Sequence, residues 1–200
     1  MSINRRVILT LSMAGATLMA ACESPPPRVY TLAPVPGVSR SGIPHTVLVR
    51  QSGIARYLEG PDIVRSSENY WLDVRTNEIW GEPLETMIGR VLTEDLSQRL
   101  PGTTFVHSAG AIGATEAAAI GVKIDRMDID ASQSVALDAK VTVTFADRTG
   151  SKAPRTFCMS VPVSTSSTTA QVQATSIALG QLADQIADTL RQPPPPRHEL

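Results

Sequence analysis

Two stretches of the chain repeat apolar residues every three or four positions, which predicts two amphipathic helices. The first begins after Pro83, a residue that suits a first helical turn, and ends before Pro101-Gly102. The second follows the Ser/Thr-rich run 164–169, which offers several N-cap residues. The two apolar faces consist of Leu84, Met87, Ile88, Val91, Leu92, Leu96 and Leu100, and of Ile177, Leu179, Leu182, Ala183, Ile186 and Leu190.

The second half of the chain alternates apolar and polar residues, the pattern of strands with one solvated face. The clearest such strand spans 135–145. Another carries Phe157, Met159 and Val161 and also contains Cys158. Because free cysteine behaves as a small apolar residue, we expect the Cys158 thiol to be buried in that strand.

An interruption in the alternation predicts a β-bulge, because Val122 and Ile124 are out of phase with Met127 and Ile129. Two helices with a largely antiparallel or mixed sheet predict an α+β fold in which both helices pack on one sheet face. Shorter strand candidates lie at 29–32, 45–50, 62–74 and 104–107.

The N-terminus has the plan of a secretory leader. Arg5 and Arg6 precede an uncharged run, Val7 to Ala21, that is 15 residues long. A membrane-spanning helix needs about 20 predominantly apolar residues. The run is therefore interpreted as a removed signal peptide and not as a permanent transmembrane helix.

The end of this leader, Met19-Ala20-Ala21-Cys22, resembles the bacterial lipobox. In that motif a diacylglyceryl group is attached to the cysteine sulfur, and a peptidase then cleaves, here between Ala21 and Cys22. A cysteine is required because its thiolate is the nucleophile that accepts the lipid. The alternative is an ordinary leader cut nearby that leaves Cys22 free.

These signals divide the chain into four segments: a signal peptide, 1–21; a lipidated, proline-rich tether, 22–28; a single domain, 29–191; and a proline-rich tail, 192–200, that we expect to be disordered. Glu23 stands where an aspartate commonly retains lipoproteins at the inner membrane, which favours the outer membrane, with the domain facing the periplasm.

The charge balance does not favour nucleic acid as a partner. Without Arg5 and Arg6 the chain has 18 − 2 = 16 basic and 19 acidic residues, a net charge of −3. The charges are scattered without long runs, so we expect them on a solvated surface.

Motifs of catalysis and metal binding are missing from the sequence, which contains no G-x-S-x-G, H-E-x-x-H or paired C-x-x-C. The three histidines, His45, His107 and His198, are far apart, and no carboxylates flank them at ligand spacing. We therefore predict a protein that is not an enzyme and that has no metal or cofactor apart from the lipid on Cys22.

One acidic group remains ambiguous. Asp125, Asp128 and Asp130 invite a calcium interpretation, but the glycine and terminal glutamate of a calcium loop are missing. A charged strand edge that resists aggregation is the favoured interpretation.

Aromatic residues are concentrated in one short region. Tyr57, Tyr70, Trp71 and Trp80 are four of the eight aromatic residues in the chain. Tyrosine and tryptophan anchor interfaces because they combine a large apolar area with a polar group. All four are candidate partner-binding residues, although Trp80, next to the first helix, is favoured as a core residue.

The same region carries a resemblance to a family. The run from Arg56 to Leu100 is similar to the core of the ABC-type transport auxiliary lipoprotein family, also called the paraquat-inducible protein C family. The matching features are Tyr30 and Leu32, Ile63-Val64-Arg65, Trp80-x-Glu-Pro-Leu84, and the helix positions Ile88, Leu92 and Leu100.

The resemblance implies a non-catalytic outer-membrane subunit of a lipid transport system. Its partners would be an MCE-domain protein that spans the periplasm, together with an inner-membrane permease and an ATPase that hydrolyses the ATP. The auxiliary lipoprotein would dock or receive the MCE component, with a homo-oligomeric ring as one arrangement. Two rival interpretations are left open. One is an independent carrier of lipid or of a small ligand, or an envelope-structural lipoprotein. The other is a lipid-anchored hydrolase that uses His45 or His107.

Overall fold

The computed structural model describes residues 25–41, 45–50, 53–107, 117–146 and 154–192. The predicted signal peptide, Cys22 and the tail from residue 193 onward lie outside the described residues. In chain order the strands are β1 (Arg28–Tyr30), β2 (Thr46–Val49), β3 (Gly53–Ile54), β4 (Asp62–Ser66), β5 (Asp73–Trp80), β6 (Thr104–His107), β7 (Ala118–Ile129), β8 (Ser134–Phe145) and β9 (Arg155–Pro162). The helices are α1 (Leu84–Arg99) and α2 (Thr168–Arg191), and a short 3-10 turn spans Arg56–Leu58.

The strands form two sheets. The larger sheet has the order β6-β2-β7-β8-β9, with β3 also beside β7, and the smaller sheet has the order β1-β5-β4. Pairs made by β1, β2 and β3 are parallel, whereas β4–β5, β7–β8 and β8–β9 are antiparallel. Both helices pack on the larger sheet and against each other. The predicted α+β class is confirmed, and the division into two sheets is a finding that the pattern does not predict.

The apolar faces predicted for both helices are buried, and of these residues only Ile177 is partly exposed. Helix α1 begins directly after Pro83, and Ser167 caps α2 by accepting the N–H of Ala170 at 3.2 Å. In the part of the chain that the structure describes, no helix combines the length and apolar character needed to cross a membrane.

The predicted bulge is confirmed by a register shift between Ile124 and Arg126 on β7. The expectation that Cys158 is buried is wrong, because its side chain is exposed. Neighbouring residues of a strand point to opposite faces, so β9 turns Cys158 outward when it buries Met159. Asp138 lies opposite on β8, and its hydrogen bond and negative charge raise the pKa of the Cys158 thiol.

A segment without regular structure, residues 31–40, runs from β1 across both helices. Its backbone N–H groups have no ladder to join, and side chains of the helices accept several of them instead. The acceptors are Met87 Sδ for Leu32 at 3.0 Å, Ser176 Oγ for Ala33 at 3.2 Å and Asp95 Oδ1 for Val35 at 2.8 Å. These bonds fix the small sheet relative to the helices.

Arg99, at the end of α1, is 1% exposed, so the expectation of a solvated surface is wrong for this charge. Its guanidinium has five N–H donors, and each has an acceptor. The acceptors are the backbone oxygens of Val35, Asp95 and Gly180 and both carboxylate oxygens of Asp184, at 3.0 to 3.4 Å. Gly37 passes so close that a Cβ there would clash with the guanidinium. A fully paired arginine thereby joins α1, α2 and the 31–40 segment.

The two carboxylates near Arg99 respond differently to their surroundings. Burial raises the pKa of Asp95 to about 6, and the Val35 N–H and the Arg99 charge only partly oppose this effect. Burial also acts to raise the pKa of Asp184, but hydrogen bonds from Arg99 and Arg40 hold it below its ordinary value. Asp184 is therefore the principal counter-charge of Arg99.

Asp95 should make stability depend on pH in one direction. Its pKa is 3.8 before folding and about 6 in the fold, so its contribution is fully present below pH 3.8 and is lost as the pH rises through 6. We expect Asp95→Asn to match the wild type in stability at low pH and to exceed it at pH 7.5 by about 1–3 kcal/mol. Arg99 keeps an acceptor for each donor in this variant.

Urea unfolding of the purified protein at pH 3.5 and 7.5 measures this difference. The control is Asp188→Asn, which removes a more exposed carboxylate that is paired with Arg40. A stability difference between Asp95→Asn and wild type that stays constant across this pH range would contradict the prediction.

Candidate functional site

A β-hairpin made of β4 and β5 carries four of the six large apolar residues that are exposed in the described part of the chain. Its connection contains a tight turn in which Trp71 N–H donates to Glu68 O at 3.2 Å. The two central residues, Asn69 and Tyr70, have φ values of 56° and 62°. Such turns favour glycine at the position of Tyr70, and a residue with a Cβ is strained there.

The exposed residues of this hairpin are Tyr70, Trp71, Leu72 and Val74, here called the aromatic tip. Trp71 is 72% exposed, and Tyr70 is fully exposed. The strand candidate 62–74 is interrupted, because β5 begins only at Asp73. Tyr70 and Trp71 therefore lie in the connecting turn and not in a strand.

The other two aromatic candidates have different surroundings. Trp80 is only 9% exposed and belongs to the hydrophobic core, in line with the interpretation favoured from the sequence. Tyr57 is half-buried, and its hydroxyl donates to Asp128 Oδ2 at 2.9 Å. Of the four aromatic residues, Tyr70 and Trp71 are therefore the two whose rings an external partner could contact.

A polar cluster fixes the aromatic tip to β7. Asp128 is fully buried, and its carboxylate accepts hydrogen bonds from Tyr57, Ser67 and Arg126. Arg126 also donates to Glu68 Oε1 at 2.5 Å. Ser67 and Glu68 come directly before the strained turn, so these bonds hold the turn on the larger sheet.

The electrostatics of this cluster agree with a structural role. Burial and the neighbouring Asp128 together raise the pKa of Tyr57 to about 12, so the phenol stays protonated and donates. Partial burial acts to lower the pKa of Arg126, but hydrogen bonds to Asp128 and Glu68 outweigh it and raise that pKa. The cluster is therefore an ion-paired clamp that joins the turn to the larger sheet.

Both strands of the hairpin are attached to the start of α2. Gln171 Nε2 donates to Val64 O at 2.8 Å, and Arg65 Nη1 donates to Ser166 O at 2.9 Å. Glu78 accepts a hydrogen bond from Thr168. These bonds and those of the polar cluster hold the hairpin in place, so the aromatic residues are presented on a rigid support.

The three aspartates considered for calcium have separate protein partners. Asp125 pairs with Lys123 and Lys140, and Asp130 accepts from Ser132 and from the Ser134 N–H. The interpretation as a charged strand edge is wrong for Asp128, because the clamp buries it. Within the described ranges no three His, Cys, Asp or Glu side chains are grouped as a metal ion requires.

The described histidines lie apart. His45 is exposed before β2, and β2 pairs in parallel with β6, so that Val49 is opposite His107 at the far end. The His107 ring rests against Gly89 of α1, where a Cβ would clash with it. His198 lies outside the described residues. This arrangement does not bring His45 and His107 together.

Two solved structures share this fold. A crystal structure of an uncharacterized protein has a TM-score of 0.68 at 17% identity and covers 83% of this chain and 99% of that chain. The crystal structure of protein XCC0632 from Xanthomonas campestris has a TM-score of 0.63 at 20% identity and covers 81% of this chain and 94% of that chain. At these identities the similarity concerns the fold alone.

A family model described as the ABC-type transport auxiliary lipoprotein component matches residues 30–187. The chain belongs to this family, and the resemblance seen in the sequence is confirmed. A comparison with curated proteins gave no match. The family is one of lipoproteins that assist ABC transport systems and is not a known enzyme family, which gives the chain a place in the cell envelope.

The strain at Tyr70 has a measurable consequence. We expect Tyr70→Gly to be more stable than Tyr70→Ala by about 1 kcal/mol, because alanine keeps the Cβ that disfavours positive φ. Both variants lose the same exposed ring. At the exposed strand position Thr76, the matched control, alanine should be the more stable by about 0.5–1 kcal/mol. Urea unfolding measures both pairs, and the same order at the two positions would contradict the strained turn.

Proposed function

We propose that this protein is the lipid-anchored, non-catalytic subunit of an ABC-type lipid transport system, held at the outer membrane with its domain in the periplasm. There it docks the MCE-domain component, which works with an inner-membrane permease and ATPase. The family match carries this proposal: it begins at residue 30, directly after the lipobox-like sequence and the tether, and continues to residue 187.

The described surface supports docking over carriage of a ligand. Three grooves on the described surface, of about 510, 460 and 410 Å³, are open and lined mainly by polar residues, whereas a carrier of lipid needs an enclosed apolar pocket. The main exposed apolar feature is the rigid aromatic tip. Energy for transport would come from the ATPase partner.

Lipid attachment at Cys22 is the first expectation to test. Cells grown with an alkyne-bearing palmitate should incorporate the label into the protein, because the thiolate of Cys22 accepts a diacylglyceryl group. Cys22→Ser should abolish incorporation, and Cys158→Ser, the only other cysteine variant, should retain it. In-gel fluorescence after coupling a dye reads out the label. Incorporation into Cys22→Ser would contradict the assignment.

The partners are tested by crosslinking in intact cells, followed by capture through a tag after Leu200 and mass spectrometry. We expect an MCE-domain protein with its permease and ATPase. Cys22→Ser should lose this capture, because the domain is then no longer held at the membrane surface where the partner ends.

One outcome would contradict the docking role, and another would contradict the expected need for the lipid anchor. Capture of lipid without any transport component would favour an independent carrier. Equal capture of the MCE-domain protein by wild type and Cys22→Ser would mean that anchoring is not needed to bring the partners together.

A further inference from the structure

The structure places the aromatic tip beside the point where the chain leaves for its anchor. We propose that this tip inserts into the headgroup layer of the phospholipid bilayer that carries the Cys22 lipid. The inference rests on the proposed lipid attachment and names the bilayer surface, not a protein, as the partner of the tip.

The direction of β1 is the first step. It pairs in parallel with β5, with Arg28 opposite Glu78. Residues before Arg28 therefore run toward the start of β5, which is the end that carries the tip. Pro25 and Pro26 share a surface groove of about 410 Å³ with Val74, a member of the tip.

The length of chain outside the described residues is the second step. Cys22 precedes Pro25 by three residues, which span at most about 11 Å when fully extended. The interfacial layer on each side of a bilayer is about 5–8 Å thick. Pro25 therefore lies at most about 11 Å from Cys22, which keeps the groove that Pro25 shares with Val74 close to the headgroup layer. Trp71 and Leu72, which precede β5, are at the same end of the sheet.

The composition of the tip suits this location. Residues 69–72 carry no charge, and Trp71 and Tyr70 have the amphipathic rings that favour the membrane–water interface. Arg28 and Arg75 line the adjacent groove and are within reach of lipid phosphates, but Asp73 and Glu78 line it as well. We therefore expect insertion without a strong requirement for anionic lipid.

The clamp described above lowers the cost of insertion. Hydrogen bonds from Ser67 to Asp128 and from Arg126 to Glu68 already fix the turn that carries the rings. A surface that is ordered before it binds loses less conformational entropy on binding. Insertion would thus set the orientation of the whole domain on its membrane, which a flexible lipid tether alone does not.

The two tryptophans supply a test with a built-in control, since Trp71 is exposed and Trp80 is buried. The full lipidated protein is reconstituted in vesicles of phosphatidylethanolamine and phosphatidylglycerol, with or without bromine at shallow acyl positions. We expect brominated lipid to remove about half of the Trp71 emission, because indole rings prefer the interfacial layer. Trp71→Phe, which leaves only Trp80, should be quenched far less.

Flotation of the vesicles distinguishes lipid attachment at Cys22 from insertion of the aromatic tip. If wild type floats with the vesicles and Cys22→Ser does not, equal fractional quenching of wild type and Trp71→Phe would overturn insertion while leaving lipid attachment intact. Failure of the wild type to float would overturn both.

A photo-crosslinking amino acid at position 71 in growing cells gives an independent measurement. Lipid adducts would support insertion. A protein as the main adduct would overturn it and assign the tip to protein docking.

Discussion

The burial of one arginine constrains how the parts of this domain fit together. An unpaired charge in the interior is very costly, so Arg99 is tolerable only when all five of its N–H donors have acceptors. Those acceptors come from α1, from Gly180 and Asp184 on α2, and from Val35 in the 31–40 segment. All three elements must be in place together. Because the 31–40 segment follows β1, the same constraint positions the small sheet.

The position of the small sheet then determines what the domain presents at its surface. β5 pairs with β1 and with β4, and β4 is bonded to the start of α2 through Gln171 and Arg65. The buried Asp128 holds the turn of the hairpin on β7. Hydrogen bonds from both α2 and β7 therefore hold the aromatic tip in place. The tip is rigid because its supports are buried, although its own residues have few neighbours.

Periodicity in the sequence predicts the features that depend on local pattern: both helices, the long strands of the second half and the bulge on β7. The pairing of distant strands leaves no such signature, so the two sheets and the parallel pair of β1 with β5 were not predictable in the same way. Arg99 and Asp128 resemble surface charges in the sequence, because most of their partners are 61 to 85 residues away along the chain. The outward orientation of Cys158 follows from the alternation of β9 and was available from the sequence.

The aromatic tip conflicts with the local rules that the rest of the chain obeys. Tyrosine occupies a backbone conformation that favours glycine, and large apolar rings face solvent in a chain with only eight aromatic residues. Neither feature stabilises the isolated domain. Strain and exposure of this kind persist when a contact outside the domain compensates for them. The tip lies at the end of the small sheet where the chain enters, and the proposed lipid anchor on Cys22 would bring a membrane surface to that end. Position, composition and strain therefore favour the same explanation, from three observations that do not depend on one another.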